Sequence, residues 1–398
     1  MAIERRTVGV MFAASAVCVA NIYYCQPLLS EIGRSLGVSE RSIGYLPMWT
    51  QAGTALGMFA FVPLGDMFPR RKLIVLLSAL SGLTVAMMAM APSLALVNAA
   101  GFAVGLTGVV AHLILPFAAK LAPPARRGHV VGTVLSGLLL GILLARVVSG
   151  FVGDMFGWRA MYWIAAVAMF LLAGALRYAL PYDHPEPGLK YGSLARSILH
   201  LAATQPVLRE AAIIGGMLFG AFSSFWATLV FFVATPPYHY GPRVAGIFGL
   251  VGAIGVLFAP WAGKLSDRKG PAFTVTLAIL TSIASYAVFD AVGQRLWGLV
   301  AGVILLDLGV QAGHVANQTR IYALVPEARS RLNTVYMVTY FLGGALGSAI
   351  GAWGWTHYGW NGVCAAGAVQ LLVALGVRGW SHWQAVKVRA SREEVSLA

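Results

Sequence analysis

The chain has 398 residues, 59% of them hydrophobic and 11% charged, with mean hydropathy +0.76 and formal net charge +14. Soluble domains are about 45–50% apolar and about 25% charged, so this composition excludes a soluble globular protein and indicates a polytopic membrane protein. The positive balance does not indicate nucleic-acid binding, because the basic residues fall at the ends of apolar runs, as the positive-inside rule requires.

A span needs about 20 apolar residues. Runs of that kind are predicted at 8–29, 42–64, 73–91, 94–119, 129–153, 158–180, 210–235, 244–265, 272–290, 296–324, 332–356 and 360–383, which makes twelve. Met1 to Thr7 is short and basic, leads straight into the first run and has no small-residue cleavage site, so that run reads as a retained span and not a signal peptide. Within it, Asn21, Tyr24 and Gln26 are candidates to line a cavity, and Pro27 loosens the helix beside them by removing a backbone donor. Tyr is equally at home in an interfacial belt. The second span adds Trp49 and Gln51, and the fourth adds His112.

The fifth span contains Arg146, the single Lys or Arg deep inside an apolar run. Its planar fork suits an anionic substrate or Asp307, and snorkelling to the outer end is the third reading. The stretch 181–209 is polar, rich in Pro and Gly, and divides the spans six and six, giving expected units 1–180, a linker 181–209, and 210–398. Trp226 lies in the seventh span, and Tyr336 and Tyr340 lie at i, i+4 in the eleventh.

The tenth span, Leu296 to Leu324, is the least uniform. Asp307, Gln311, His314 and Gln318 recur at i, i+4, i+7 and i+11, one stripe on a helix. An ionisable group at bilayer depth costs about 2.5–3.5 kcal/mol on insertion scales, so the stripe must face a protein interior or a water-filled cavity. It is either a substrate and proton pathway or a set of interhelical hydrogen bonds. In the eleventh span Gly343, Gly347 and Gly351 recur every four residues, which in an apolar helix means close helix packing and not phosphate binding.

With the N-terminus in the cytoplasm, 22 of the 28 lysines and arginines fall on the cytoplasmic side and 5 on the other, which places both termini and the central loop in the cytoplasm. The halves repeat. Asp66 in Gly65-Asp66-Met-Phe-Pro-Arg70-Arg71-Lys72 is answered by Asp267 in Gly263-Lys-Leu-Ser-Asp267-Arg268-Lys269-Gly270, 201 residues on. Gly157-Trp158-Arg159 is answered by Gly359-Trp360-Asn361, 202 residues on. Two six-helix halves of one orientation follow, with a site expected between them near the midplane.

These features resemble the major facilitator superfamily over nearly the whole chain. The carrier of the resemblance is the loop after the second span, Val62-Pro63-Leu64-Gly65-Asp66-Met67-Phe68-Pro69-Arg70-Arg71, in which Asp66, Arg70 and Arg71 match the family form. The second copy, with Asp267 and Arg268, fits better. The resemblance implies a gating role for Asp66, Arg70, Arg71, Asp267 and Arg268 on the cytoplasmic face, where carboxylate and guanidinium can form a latch. Asn21 to Pro27, Leu144 to Gly150 and Pro326 to Met337 further resemble a bacterial branch of efflux permeases. Ala145-Arg146 stands where drug antiporters of the superfamily usually carry Gly-Pro.

The expected fold is therefore an all-α polytopic membrane protein with twelve transmembrane helices in two pseudo-symmetric six-helix bundles. The expected function is proton-coupled antiport of a small organic solute or drug by alternating access in the bacterial cytoplasmic membrane. Asp307 and His314 are the expected proton-coupling residues. The expected partners are a small-molecule substrate, protons and the bilayer; the chain is expected to act as a monomer, without nucleic acid or cofactor. Rivals are a uniporter or proton symporter for a polar or anionic metabolite, and a non-transporting sensor or lipid-handling protein. No catalytic constellation or metal-ligand spacing appears, and Cys18, Cys25 and Cys364 show no pairing pattern.

Overall fold

In a bilayer every backbone N–H and C=O must be satisfied within the protein, so an apolar chain of this length is driven to helices. The computed structural model describes residues 5–183, 191–257 and 259–397. Among them there are only helices, short 3-10 turns and connecting loops. The principal helices are α1 (Arg5–Tyr23), α2 (Cys25–Leu36), α3 (Leu46–Phe61), α4 (Arg70–Met90), α5 (Leu94–Thr107), α6 (Val110–Leu121), α7 (Arg127–Phe156) and α8 (Trp158–Ala179). They continue as α9 (Tyr191–Thr204), α10 (Pro206–Ala234), α11 (Pro242–Leu257), α12 (Ala259–Lys269), α13 (Pro271–Val292), α14 (Leu296–Tyr322) and α15 (Arg329–Leu397).

Among the described residues nine helices are long and apolar enough to cross a membrane. The last, Arg329–Gln384, turns at Gly359, whose φ of 60° and ψ of −142° leave the helical region. Only glycine takes that backbone readily. Gly354 and Gly362 meet across the turn, so this helix is a hairpin of two crossings. The shorter α3 and the α11–α12 pair cover the runs expected at 42–64 and 244–265, which keeps the architecture consistent with twelve spans.

Two expected single helices are broken. The first divides at Tyr24, where Pro27 has no N–H to offer the preceding turn. The fourth divides at Gly108, whose amide bonds the carbonyls of Val104 and Gly105.

Small residues set the packing. A Cβ at Gly343 or Gly347 of α15 would run into the backbone of Gly216 or Gly220 of α10. A Cβ at Gly137 or Gly141 of α7 would run into the carbonyl of Phe12 or Ala16 of α1. Gly141 and Gly343 are 202 residues apart, so the repeat in sequence reappears as the same kind of helix contact. Such close approach lets dispersion and backbone contacts act where the hydrophobic effect cannot.

The two ends of the helices differ. One end, called here the basic end, carries Arg70, Arg71, Lys120, Arg320 and Arg329. At the far end the early and late helices meet directly. Gly44 packs on Ala352, the Trp355 indole donates to Glu40 at 2.9 Å, and Gly150 of α7 lies against Pro242 and Gly246 of α11. At the basic end α9 reaches both sides: its Tyr191 hydroxyl donates to the Phe59 carbonyl at 3.3 Å, and its Ser197 accepts from Arg331 at 2.6 Å. Part of the expected linker, 184–190, lies outside the described residues.

Candidate functional site

The α11 helix brings together two charged residues that are 161 positions apart in sequence. Gly249 faces Arg146 of α7, where an added Cβ would sit 3.1 Å from the Arg146 Cβ. Gly252 faces Asp307 of α14, where an added Cβ would sit 2.9 Å from Oδ1. Residues i and i+3 lie on one helix face, with Cβ positions about 5–6 Å apart. Glycine at both positions therefore lets the aliphatic stem of Arg146 and the carboxylate of Asp307 pack against one face of α11.

Arg146 is 3% exposed. Its Nε donates to Oε1 of Gln26 at 2.7 Å. Its guanidinium lies 4.0 Å from the Trp226 ring centroid, 5.1 Å from Tyr23 and 5.5 Å from Phe222. Each ring contributes a cation–π attraction that strengthens as water is removed. Nη2 is buried without a partner. This burial excludes the snorkelling reading of Arg146.

Asp307 is 5% exposed, and its Oδ2 has no partner. Asp307 and Arg146 are close enough to act on one another electrostatically. Among the described residues no salt bridge joins them. The Trp226 indole lies beside the Asp307 carboxylate, yet its buried Nε1 closes no hydrogen bond. Both amide atoms of Asn21, Oε1 of Gln51 and Nδ1 of His112 are also buried without partners. An unmade hydrogen bond at a buried group costs about 1–3 kcal/mol. Such groups therefore mark a region organised for something polar.

The remaining sequence-predicted residues divide. His314 Nδ1 lies 3.1 Å from the Tyr336 hydroxyl, and its ring is 4.9 Å from Tyr340. Tyr340 in turn stacks on Phe219 at 4.1 Å, and Phe219 stacks on Phe222, so this aromatic run leads to Arg146. Gln318 donates to Asn333 at 3.4 Å, toward the basic end, and Gln311 is half-buried. Tyr24 is buried at the break between α1 and α2. Trp49 is 41% exposed and packs edge-on against Phe102, away from the Arg146 cage.

The loop after α3 is tied locally. Arg70 bonds Asp66 at 2.8 Å and the Gly65 carbonyl at 2.9 Å, while Arg71 donates to the Arg177 carbonyl at the end of α8. The second copy differs: Asp267 and Arg268 are exposed and, among the described residues, form no salt bridge.

Sequence reasoning missed three things. Gln26 was singled out, but not as the partner of Arg146. Phe222 was not singled out, although Phe222 and Trp226 at i, i+4 share a helix face. Glu210, read as the start of a span, accepts from Arg320 at 2.6 Å and from Arg378 at 3.4 Å, while Arg320 also reaches Asn317. A carboxylate within a few residues of a span end was the available signal.

A model of the Major Facilitator Superfamily matches residues 11–289. The uncharacterized transporter YgaY of Escherichia coli O157:H7 is 42% identical over 377 residues, covering 94% of this chain and 96% of that protein. The probable transporter SCO4007 of Streptomyces coelicolor is 34% identical over 381 residues, covering 95% and 86%. Among solved structures, a bacterial homolog of the human lysosomal transporter Spinster superposes with TM-score 0.71 at 13% identity, covering 94% and 95% of the two chains.

Proposed function

This chain belongs to the Major Facilitator Superfamily and is a multi-pass membrane transporter and not an enzyme, and from that premise we propose that it exports a small organic solute by proton-coupled antiport. The observation that carries the reading is the central pair. Arg146 and Asp307 come from early and late helices, are both buried, and each keeps an unpartnered polar atom. An uncompensated buried charge costs several kcal/mol. The fold retains two of opposite sign side by side without joining them. Transport gives each a use: Arg146 holds an anionic group, and Asp307 alternates between a proton and the substrate. His314, with its link to Tyr336, extends that path toward the basic end.

Alternating access follows from the same frame. We infer that units 1–180 and 210–398 rock against each other about the linker 181–209. The distribution of lysine and arginine supports a cytoplasmic basic end, both termini cytoplasmic, in the bacterial inner membrane. The far-end contacts of Gly44 with Ala352 and of Glu40 with Trp355 then support a state closed to the outside. In that state Asp66 and Arg70 pair within their own loop, and the latch they form with the other unit belongs to the opposite state. Arg146 also favours an anionic metabolite as substrate, moved by symport or uniport, and the direction of flux under an imposed gradient decides between these modes.

The test is flux in proteoliposomes with and without a pH gradient. Asp307→Asn is expected to abolish gradient-driven transport, because the group that exchanges a proton for substrate is gone. Undiminished uphill transport by Asp307→Asn, with unchanged pH dependence, removes Asp307 from coupling.

A further inference from the structure

The central site carries information about its ligand. Three aromatic rings lie against the Arg146 guanidinium, and Nε is taken by Gln26. Nη2, in the guanidinium plane, is buried without a hydrogen-bond partner. That geometry suits a carboxylate, whose oxygens accept charge-assisted hydrogen bonds in plane. Asp307 Oδ2, one turn away along α11, accepts hydrogen bonds and gives none while ionised.

Charge balance narrows the class. While Asp307 is ionised, a simple carboxylate on Arg146 would leave it unpaired and set two negative charges side by side. A simple cation on Asp307 would leave Arg146 unpaired. A neutral solute leaves both. Each of these abandons a buried charge, which is the costly outcome. A molecule carrying both signs, a few atoms apart, satisfies both residues at once. Phe222 and Phe219, stacked beside the cage, offer an apolar surface to the rest of it.

We propose that the substrate is a small amino-acid-like zwitterion with an apolar side chain, its carboxylate on Arg146 and its ammonium on Asp307. This inference rests on the transport reading above and deepens it. Asp307 holds either the ammonium or a proton, so substrate and proton exclude one another at a single group, which is what antiport requires.

The test uses the purified full-length protein and thermal unfolding with three probes of one scaffold: L-phenylalanine, 3-phenylpropanoate without the ammonium, and 2-phenylethylamine without the carboxylate. L-Leucine and L-tryptophan extend the zwitterion set. Wild-type protein is expected to bind at least one zwitterion roughly tenfold or more tightly than either single-charge analogue, because a site built for a donor rejects the analogue lacking it. Asp307→Asn is expected to lose that preference while still binding 3-phenylpropanoate, and Arg146→Gln to lose it while still binding 2-phenylethylamine. Equal binding of L-phenylalanine and 3-phenylpropanoate by wild type overturns the proposal, as does failure of all three zwitterions to bind. If the zwitterions fail yet a pH gradient still drives other organic solutes through Asp307, the transport reading stands and only the substrate class falls. If the zwitterions bind but no gradient moves them, the coupling reading falls and the site remains.

Discussion

Among the described residues, the buried charges around Glu210 and those at Arg146 and Asp307 are built in opposite ways. At the basic end Glu210 accepts from Arg320 and Arg378, Arg320 reaches Asn317, and Arg378 reaches Thr276. The carboxylate bonds a guanidinium through each of its oxygens, and the cluster ties α10 and α14 to α13 and the second arm of α15. At the centre Arg146 and Asp307 sit side by side without bonding, each with an atom left unpartnered. The first cluster is closed and holds helices together. The second is open, and its unpartnered atoms are the ones the proposed substrate and proton would use. Rarity of charge in a span marks both; the state of the hydrogen bonds separates them.

The largest expected effect breaks the closed cluster. Glu210→Gln leaves two guanidiniums without their carboxylate, and removing one partner of a buried pair costs about 3–5 kcal/mol. Thermal unfolding of the purified protein should show that loss, with transport falling in step with the amount of folded protein. Adding Arg320→Gln should return part of it, so the double-mutant cycle should give a coupling of roughly 1 kcal/mol or more.

The same cycle at the centre sharpens the contrast. Arg146→Gln combined with Asp307→Asn is expected to leave stability within about 1 kcal/mol of wild type, because removing two buried charges offsets the loss of the Gln26 bond and the ring contacts of Arg146. Transport should be absent in the double variant. A stability coupling as large as that of Glu210 with Arg320 would erase the distinction between the clusters.

Asp66→Asn should have a smaller effect. Its partner Arg70 is part-exposed, and pairs of that kind contribute about 0.2–1 kcal/mol. Folded yield should stay near normal, while transport rate drops if the loop gates the opposite state. A loss of activity that merely follows loss of folded protein would make Asp66 structural. Smallest of all, Arg268→Gln should change stability by no more than about 0.5 kcal/mol, since the residue is exposed and without a salt bridge among the described residues.

Much of the fold was legible because a bilayer imposes a one-dimensional rule. Apolar length gives spans, and the 202-residue repeat appears again in the paired contacts of Gly141 with α1 and Gly343 with α10. The helix breaks at Tyr24 and Gly108 were harder, because Pro27 marks the first only approximately and nothing in an unbroken apolar run marks the second. Trp49 shows the limit for aromatic residues: tryptophan in a span is compatible with cavity, core or surface, and its direction depends on the rotation of the helix.

By itself the sequence determined that this is a helical membrane protein, that its halves repeat, and that Arg146 and Asp307 are exceptional, since each of these depends on composition, length or spacing along one strand of text. Tertiary structure alone decided that Gln26, 120 positions away, holds Arg146, that Tyr23, Phe222 and Trp226 enclose it, and that Gly249 and Gly252 seat it beside Asp307. Tertiary structure also decided that Glu210 closes the cluster at the basic end. The physical reason is that helix periodicity fixes which residues share a face, whereas the partner of that face is set by how helices rotate and cross, and those depend on contacts between segments far apart in the chain.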